Sequence, residues 1–358
     1  MDSKIITKRV RAIRRRLSAK EIDCLIVTKP ANVSYATGFL GVDSWAVITT
    51  AASYLLTDSR YVEQAQKECT CRRIIQRSGP LAQATAELLK KLKSVQTVAV
   101  EKSTALAAFE PLKKNVKAKF KTAADIVETL RSGKDGSEIA AIKKAAKIAA
   151  QALAKTLLFI KPGISESELA GMLDFQIRKL GSRTSFDTIV AFGANASRPH
   201  HQAGRRKLKQ NDCLLIDFGA RYNNYCCDLT RCFAAGRPSH FYETVHKTVQ
   251  QAQAAALKMV KPGAVISQVD AAAREVISKS GLPVYGHGTG HGLGLEVHEE
   301  PVISANSRGK LQAGMVFTIE PGVYMPGKLG VRIEDDVLVT ERGCTILTRN
   351  CPQPLLIT

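Results

Sequence analysis

No apolar stretch in this sequence approaches the ~18 residues that a membrane-spanning helix needs. The start of the chain also lacks the apolar core of a secretory signal, because Met1 to Lys20 carries eight Lys and Arg residues. That charge mimics a mitochondrial presequence. The strand-like run Asp23-Cys24-Leu25-Ile26-Val27 follows at once, however, so a first surface helix is the better reading. No Cys-x-x-Cys pair occurs among the nine cysteines: Cys69 and Cys71 are too close for the usual zinc spacing, and Cys226 and Cys227 are adjacent. An odd count without a signal points to reduced, mostly buried thiols in a cytoplasmic protein. Aromatic residues make up only 6% of the chain, and the basic runs Lys8 to Lys20, Lys113 to Lys121 and Arg205 to Lys209 carry hardly any. A net charge of +20 would suit an anionic partner. Without interleaved aromatics to stack on bases, these runs read as solvated helix faces and loops, and nucleic acid is not an expected partner.

What is present is an ordinary globular composition, with 45% hydrophobic residues. The 358 residues suffice for about two domains. Up to about Leu130 the pattern alternates. Asp23 to Thr28, Ala46 to Thr49 and Val95 to Val100 predict strands, while Tyr61 to Cys69 and Ala82 to Leu92 predict helices, which argues for an α/β layer. Ser132-Gly133-Lys134-Asp135-Gly136 reads as a boundary. A long helix is predicted from Ser137-Glu138, with a stripe of Ile139, Ile142, Ala146, Ala149 and Leu153, ended by Pro162-Gly163. The rest contains an internal repeat. Lys161-Pro162-Gly163 recurs as Lys261-Pro262-Gly263, the helix after each ends at Gly181 and Gly281, and Leu208, Ile216, Asp217 and Gly219 correspond to Leu311, Ile319, Glu320 and Gly322. A repeat of roughly 100 residues predicts two halves about a pseudo-twofold axis.

Four acids stand where a charge is locally expensive. Asp217 and Glu320 end apolar runs, Glu334 follows Val331-Arg332-Ile333, and Asp228 lies eleven residues beyond Asp217. A carboxylate at a buried strand end must be paired or bound to a metal. The repeat would bring two acidic pairs to one centre, which suits two divalent ions. Oxygen-rich ligation with one imidazole, His291, favours Mn, with Co, Fe or Zn as alternatives. Two ions sharing a water lower its pKa towards neutrality, so the constellation points to hydrolysis of an ester or amide. His287, His291, His298 and His200 are four of the seven histidines, and the first three lie in the glycine-rich stretch Gly286 to Glu299. Clustering beside candidate ligands marks them as site residues.

These motifs together resemble the metallopeptidases of the "pita-bread" fold: methionine aminopeptidase, Xaa-Pro aminopeptidase (aminopeptidase P) and Xaa-Pro dipeptidase (prolidase). The resemblance rests on Ile216-Asp217-Phe218-Gly219, Asp228-Leu229-Thr230-Arg231, the His/Gly stretch, Thr318-Ile319-Glu320-Pro321-Gly322 and Val331-Arg332-Ile333-Glu334-Asp335-Asp336. It covers essentially the whole chain. Thr28-Lys29-Pro30-Ala31-Asn32-Val33-Ser34-Tyr35 is similar to the extra N-terminal domain of the Xaa-Pro and creatinase branch. The implied fold is α/β (α+β), with a creatinase/prolidase-type domain over residues 1–131 and a pita-bread catalytic domain over 136–358.

The resemblance implies roles. Asp217 would chelate one ion, Asp228 and Glu334 would bridge both, and His291 and Glu320 would bind the other. Glu320 would also act as general base. His200 and His298 would contact substrate and stabilise the tetrahedral intermediate. His287 would line the pocket on the substrate side, Arg332 would anchor a nearby acid or help organise the site, and Phe186 and Tyr324 would form apolar pocket wall, with core packing as the alternative. The expected activity is cleavage between an N-terminal residue and a following proline. A dipeptidase restricted to Xaa-Pro is the alternative, then a metal-free binding protein or a creatinase-like C–N hydrolase. Proline-containing peptides are the expected substrates and a homodimer the expected assembly.

Overall fold

The computed structural model describes residues 3–70, 73–123, 125–353 and 356–357, and the chain divides into two compact units, Met1–Arg131 and Ser132–Thr358. Cys71 and the first two residues of the basic N-terminal segment lie outside the described residues.

The first unit contains α1 (Ser3–Ala19), β1 (Cys24–Val27), α2 (Pro30–Thr37), β2 (Trp45–Thr49), β3 (Ser53–Thr57), α3 (Val62–Glu68), β4 (Arg73–Gln76), α4 (Leu81–Lys91), β5 (Thr97–Glu101), α5 (Leu106–Asn115), β6 (Lys119–Ala123) and α6 (Ile126–Ser132). The strands form one mixed sheet in the order β4-β3-β2-β1-β5-β6. Its middle strands are the apolar runs of the sequence, nearly every side chain of which is buried. The edge strands β4 and β6 carry charged, partly exposed residues, which discourages pairing with another chain. The basic N-terminus is a surface helix. Ile6, Ile13 and Leu17 of α1 are buried, Arg9 lies over the Tyr35 ring at 4.3 Å, and Lys4, Lys8, Arg11 and Arg15 face outward.

The second unit opens with α7 (Gly136–Leu157), which starts at a reciprocal cap. The Asp135 carboxylate accepts from the Ser137 and Glu138 N–H groups, and Glu138 accepts from the Asp135 N–H. Then come α8 (Glu166–Lys179), β7 (Arg183–Thr184), β8 (Ile189–Phe192), a 3-10 turn (Gly193–Ser197), β9 (Cys213–Phe218), β10 (Ala220–Tyr222), β11 (Tyr225–Cys226) and β12 (Leu229–Ala235). The second half supplies α9 (His240–Met259), α10 (Ile266–Lys279), β13 (Gly290–Gly292), β14 (Glu299–Ile303), β15 (Val316–Ile319), β16 (Gly322–Met325), β17 (Leu329–Arg332), β18 (Asp335–Val339), β19 (Cys344–Ile346) and β20 (Leu356–Ile357).

The sequence repeat is a structural repeat. Gly163 and Gly263 both have positive φ, as do Gly181 and Gly281 at the ends of α8 and α10, a conformation that glycine adopts without steric cost. The Gly163 N–H donates to the Leu208 carbonyl, and Gly263 does the same to Leu311. Ser165 bridges Lys207 as Val265 bridges Lys310. Each half then packs two helices on a sheet, β20-β12-β9-β8 in one, antiparallel except for the parallel pairing of β20 with β12, and the antiparallel β14-β13-β15-β18-β19 in the other. One core joins Leu153, Leu169 and Leu173 to Phe192, Ile216 and Phe233. The other joins Val249 and Ala273 to Phe317, Ile319 and Val337. Each such fully buried large side chain contributes about 1.5–3 kcal/mol. The eight described cysteines are free thiols, five of them buried.

Candidate metal centre

The four acids stand at strand ends of the two sheets: Asp217 near the end of β9, Asp228 just before β12, Glu320 just after β15 and Glu334 just before β18. Register brings them together. In the first half Asp217 pairs with Thr230, and in the second Ile319 pairs with Asp335. His291 projects from β13, which approaches β15 closely because position 290 is glycine. A Cβ there would collide with the Thr318 carbonyl. Ligand-capable atoms of Asp228, His291 and Glu334 all lie within 4.8 Å of one another. His291 Nε2 is 3.6 Å from Asp228 Oδ2 and 3.4 Å from Glu320 Oε1.

The protonation pattern suits a cation between these groups. His291 Nδ1 faces the Gly292 carbonyl at 3.1 Å, an acceptor, so Nδ1 carries the proton and the Nε2 lone pair points at carboxylate oxygens. Burial pushes the His291 pKa down, which keeps the ring neutral. Burial also drives the Asp228 carboxyl well above its usual range, assisted by the charges of Glu334, Asp217, Asp336 and Glu320. Glu334 is driven up by burial and by Glu320 and Asp217, and Glu320 is raised by burial. Asp217 Oδ1 and Asp228 Oδ1 are buried without a hydrogen-bond partner. A lone pair facing carboxylates, crowded acids and orphaned oxygens are each relieved by a divalent ion. The donor set, carboxylates with one imidazole, fits such an ion.

Remaining oxygens are held by the surrounding side chains. The Thr230 hydroxyl donates to Glu334 Oε2 (2.6 Å) and the Thr318 hydroxyl to Glu320 Oε1 (3.1 Å). Arg332, buried, donates through Nη2 to Asp217 Oδ2 (2.5 Å), through Nε to the Thr230 hydroxyl (3.0 Å), and through Nη1 to Tyr324 Oη (3.0 Å) and the Pro199 carbonyl (3.4 Å). Tyr324 Oη lies 3.0 Å from His287 Nε2. His287 Nδ1 faces the Gly288 carbonyl at 2.7 Å, so Nδ1 is the donor and Nε2 accepts from the Tyr324 hydroxyl. Both His287 nitrogens are thus engaged by protein, and Tyr324 is a polar link between His287 and Arg332. His298 is exposed and stacks edge-on against His291, with ring centroids 4.3 Å apart. Burial lowers the His298 pKa, and His291 and the exposed His200 lower it further. Phe186 is half-buried in the turn between β7 and β8, and no ring contact joins it to the centre among the described residues.

Comparison with known proteins gives the same direction. Residues 140–341 match the model of metallopeptidase family M24, and residues 9–132 match the creatinase/prolidase N-terminal domain. The chain belongs to metallopeptidase family M24. An "uncharacterized peptidase" of Bacillus subtilis is 40% identical over 94% of this chain and 96% of that one. A structure described as a Xaa-Pro dipeptidase from Bacillus anthracis superposes with a TM-score of 0.94 at 36% identity, covering 99% of this chain and 100% of that one. A structure described as an X-Pro aminopeptidase from Thermotoga maritima gives 0.87 at 37% identity, covering 96% and 99%. As an M24 peptidase, the chain carries the pita-bread architecture, and the divalent-metal chemistry of its family has a candidate site in the cluster above.

Several supporting residues escape a reading of the sequence. Asp270 accepts from the Thr289 N–H and hydroxyl and from Arg274 Nε. The Arg274 guanidinium also donates to the Tyr285 and His287 carbonyls (2.7 and 2.6 Å). These two residues fix the His/Gly stretch, yet on a helix they look like an ordinary surface i,i+4 pair. Glu166 and His201 form a second such network. Its only sequence signal is a second acid beside the Ser165/Glu168 cap.

Proposed function

We propose that this M24 peptidase cleaves the bond between an N-terminal residue and a following proline, using two divalent metal ions, with manganese first among the candidates. The observation that carries the reading is the convergence of Asp228, His291 and Glu334, with Asp217 and Glu320, on one buried, cation-requiring centre. Asp217, Asp228, His291, Glu320 and Glu334 would hold the ions. When bound, such ions acidify a water towards neutral pH and polarise the scissile carbonyl. Glu320, whose carboxyl burial raises above its usual range, would take the proton of the attacking water and return it to the leaving proline nitrogen. His200 and His298, exposed at the mouth, hydrogen-bond the substrate carbonyl as it becomes an oxyanion. His287, kept neutral by burial, contributes its ring to the pocket wall beside Tyr324. Phe186 is assigned to the apolar wall that receives the proline ring.

A peptide bond before proline has no N–H and a fixed backbone, so a peptidase that grips that N–H loses it. A centre that acts on the carbonyl does not depend on that group. Arg332 gives four hydrogen bonds within the protein, which leaves it poorly suited to bind a free proline carboxylate, and this favours an aminopeptidase that accepts longer peptides. The likeness to the Bacillus anthracis dipeptidase favours the second reading, an Xaa-Pro dipeptidase. A cytoplasmic homodimer belongs to the same proposal, on resemblance to the family.

Hydrolysis of Xaa-Pro and Xaa-Pro-Yaa by chelator-treated protein, with and without added Mn or Co, tests the proposal. Metal-restored cleavage of the tripeptide is expected. Cleavage of the dipeptide alone selects the dipeptidase, and no cleavage with any metal overturns the peptidase reading.

A further inference from the structure

We propose that Glu166 is a positioning residue for His200, acting through the segment that carries it. This rests on the reading of His200 as a substrate contact. Glu166 occupies the first position of α8, where an acid ordinarily faces solvent and the helix N–H groups. Here its side chain is fully buried. Oε1 accepts from the Phe192 N–H and from Asn195 Nδ2 (2.8 Å each), and Oε2 accepts from His201 Nε2 (2.8 Å) and the Gly204 N–H (3.1 Å). All four donors belong to residues 192–204. One carboxylate thus ties together both ends and the middle of the stretch that presents His200.

The far side of this segment is pinned as well. Arg332 Nη1 donates to the Pro199 carbonyl, the Gly327 N–H donates to Ser197 Oγ (3.4 Å), and the Ala196 carbonyl sits where a Cβ at position 330 would be. The segment therefore spans from Glu166 on one flank to the residues of the metal centre on the other. His201 is buried against Glu166, and its neighbour His200 is exposed.

The repeat argues that this acid is not required by the fold. In the second half the equivalent helix start carries Ile266, which is buried in plain apolar packing. Its N–H donates to the Gly309 carbonyl, as that of Glu166 does to Arg206. The same backbone geometry thus forms with an apolar side chain. The half that has the carboxylate is the half whose loop bears His200.

The test is a double-mutant cycle on the metal-loaded full chain, with kcat, KM and bound metal measured for wild type, Glu166→Gln, His200→Ala and the double variant. Glu166→Gln is expected to lower kcat/KM for an Xaa-Pro-Yaa peptide by about 10- to 100-fold, as a misplacement near 1 Å does. Metal stoichiometry should stay at the wild-type value, and no further loss should appear on the His200→Ala background. An equal loss on both backgrounds, or a loss tracked by missing metal, overturns the inference and leaves the role of His200 intact. His200→Ala at the wild-type rate overturns the substrate-contact reading itself, and the inference with it. Should Glu166→Gln not accumulate as folded protein, Asn195→Ala removes one donor from the same carboxylate. A smaller loss, again absent on the His200→Ala background, is expected, and an equal loss on both backgrounds refutes the proposal.

Discussion

Single side chains in this protein are decided by the balance between burial and hydrogen bonding, and Glu166 and Asp228 fall on opposite sides of it. Burial pushes the Glu166 carboxyl up, but bonds from His201, Asn195, Phe192 and Gly204 outweigh it and hold the group below the usual Glu range. An acid depressed in the folded state contributes stability that is present above its unfolded value, about 4.3. That contribution is lost as pH falls through the folded value. Glu166→Gln should therefore flatten the dependence of the urea midpoint on pH below about 5, against a steeper fall for wild type. An unchanged slope would show that the four bonds do not favour the charged form. Asp228 lacks such donors for Oδ1, and burial with four neighbouring acids drives it up instead. The difference separates a carboxylate satisfied by protein donors from one left with an unpartnered oxygen among other acids.

At the scale of strands and helices, close backbone approach is what lets His291 reach the acids. Gly290→Ala should separate β13 from β15, because its Cβ meets the Thr318 carbonyl. Overpacking of this kind costs about 1–3 kcal/mol. Chemical denaturation should register that loss together with weakened metal binding, and a variant with wild-type values for both would contradict the packing argument. The same scale explains what was legible in the sequence. β1, β2 and β5 are apolar runs, and Asp217 and Glu320 were visible because they end the apolar runs of β9 and β15. β4 and β6 were not visible, since Arg73–Gln76 and Lys119–Ala123 mix charges into edge positions. α5 was hidden by Pro111 within it. Glu166, Asp270 and Arg274 were missed for another reason: acids at helix starts and i,i+4 pairs usually face water, and nothing in one-dimensional spacing tells which of them turn inward.

Over the whole molecule, the repeat marked by the two Lys-Pro-Gly turns organises the second unit, down to matching backbone hydrogen bonds at Gly163 and Gly263. The consequence for stability is that the proposed ligands come from both halves, Asp217 and Asp228 from one and His291, Glu320 and Glu334 from the other. Ions that bind only the folded chain raise its stability by about 2.7 kcal/mol at a free concentration one hundred times the dissociation constant. Calorimetry of chelator-treated protein with added Mn should show a rise in melting temperature. Asp228→Asn should abolish both that rise and peptide cleavage while leaving the metal-free melt near that of wild type. A preserved rise would remove Asp228 from the ligand set.

The division of ligands between the halves also sets an order of events during synthesis. As the chain leaves the ribosome, the first half can pair β8, β9 and β12 while β20 and Cys351, which finish its sheet and core, are still to come, and it holds only one side of the binding site. Neither the imidazole of β13 nor the carboxylate ahead of β18 has then been made. Metal capture is thereby deferred until the second half has emerged and docked, and a truncated product is left without the means to hydrolyse anything.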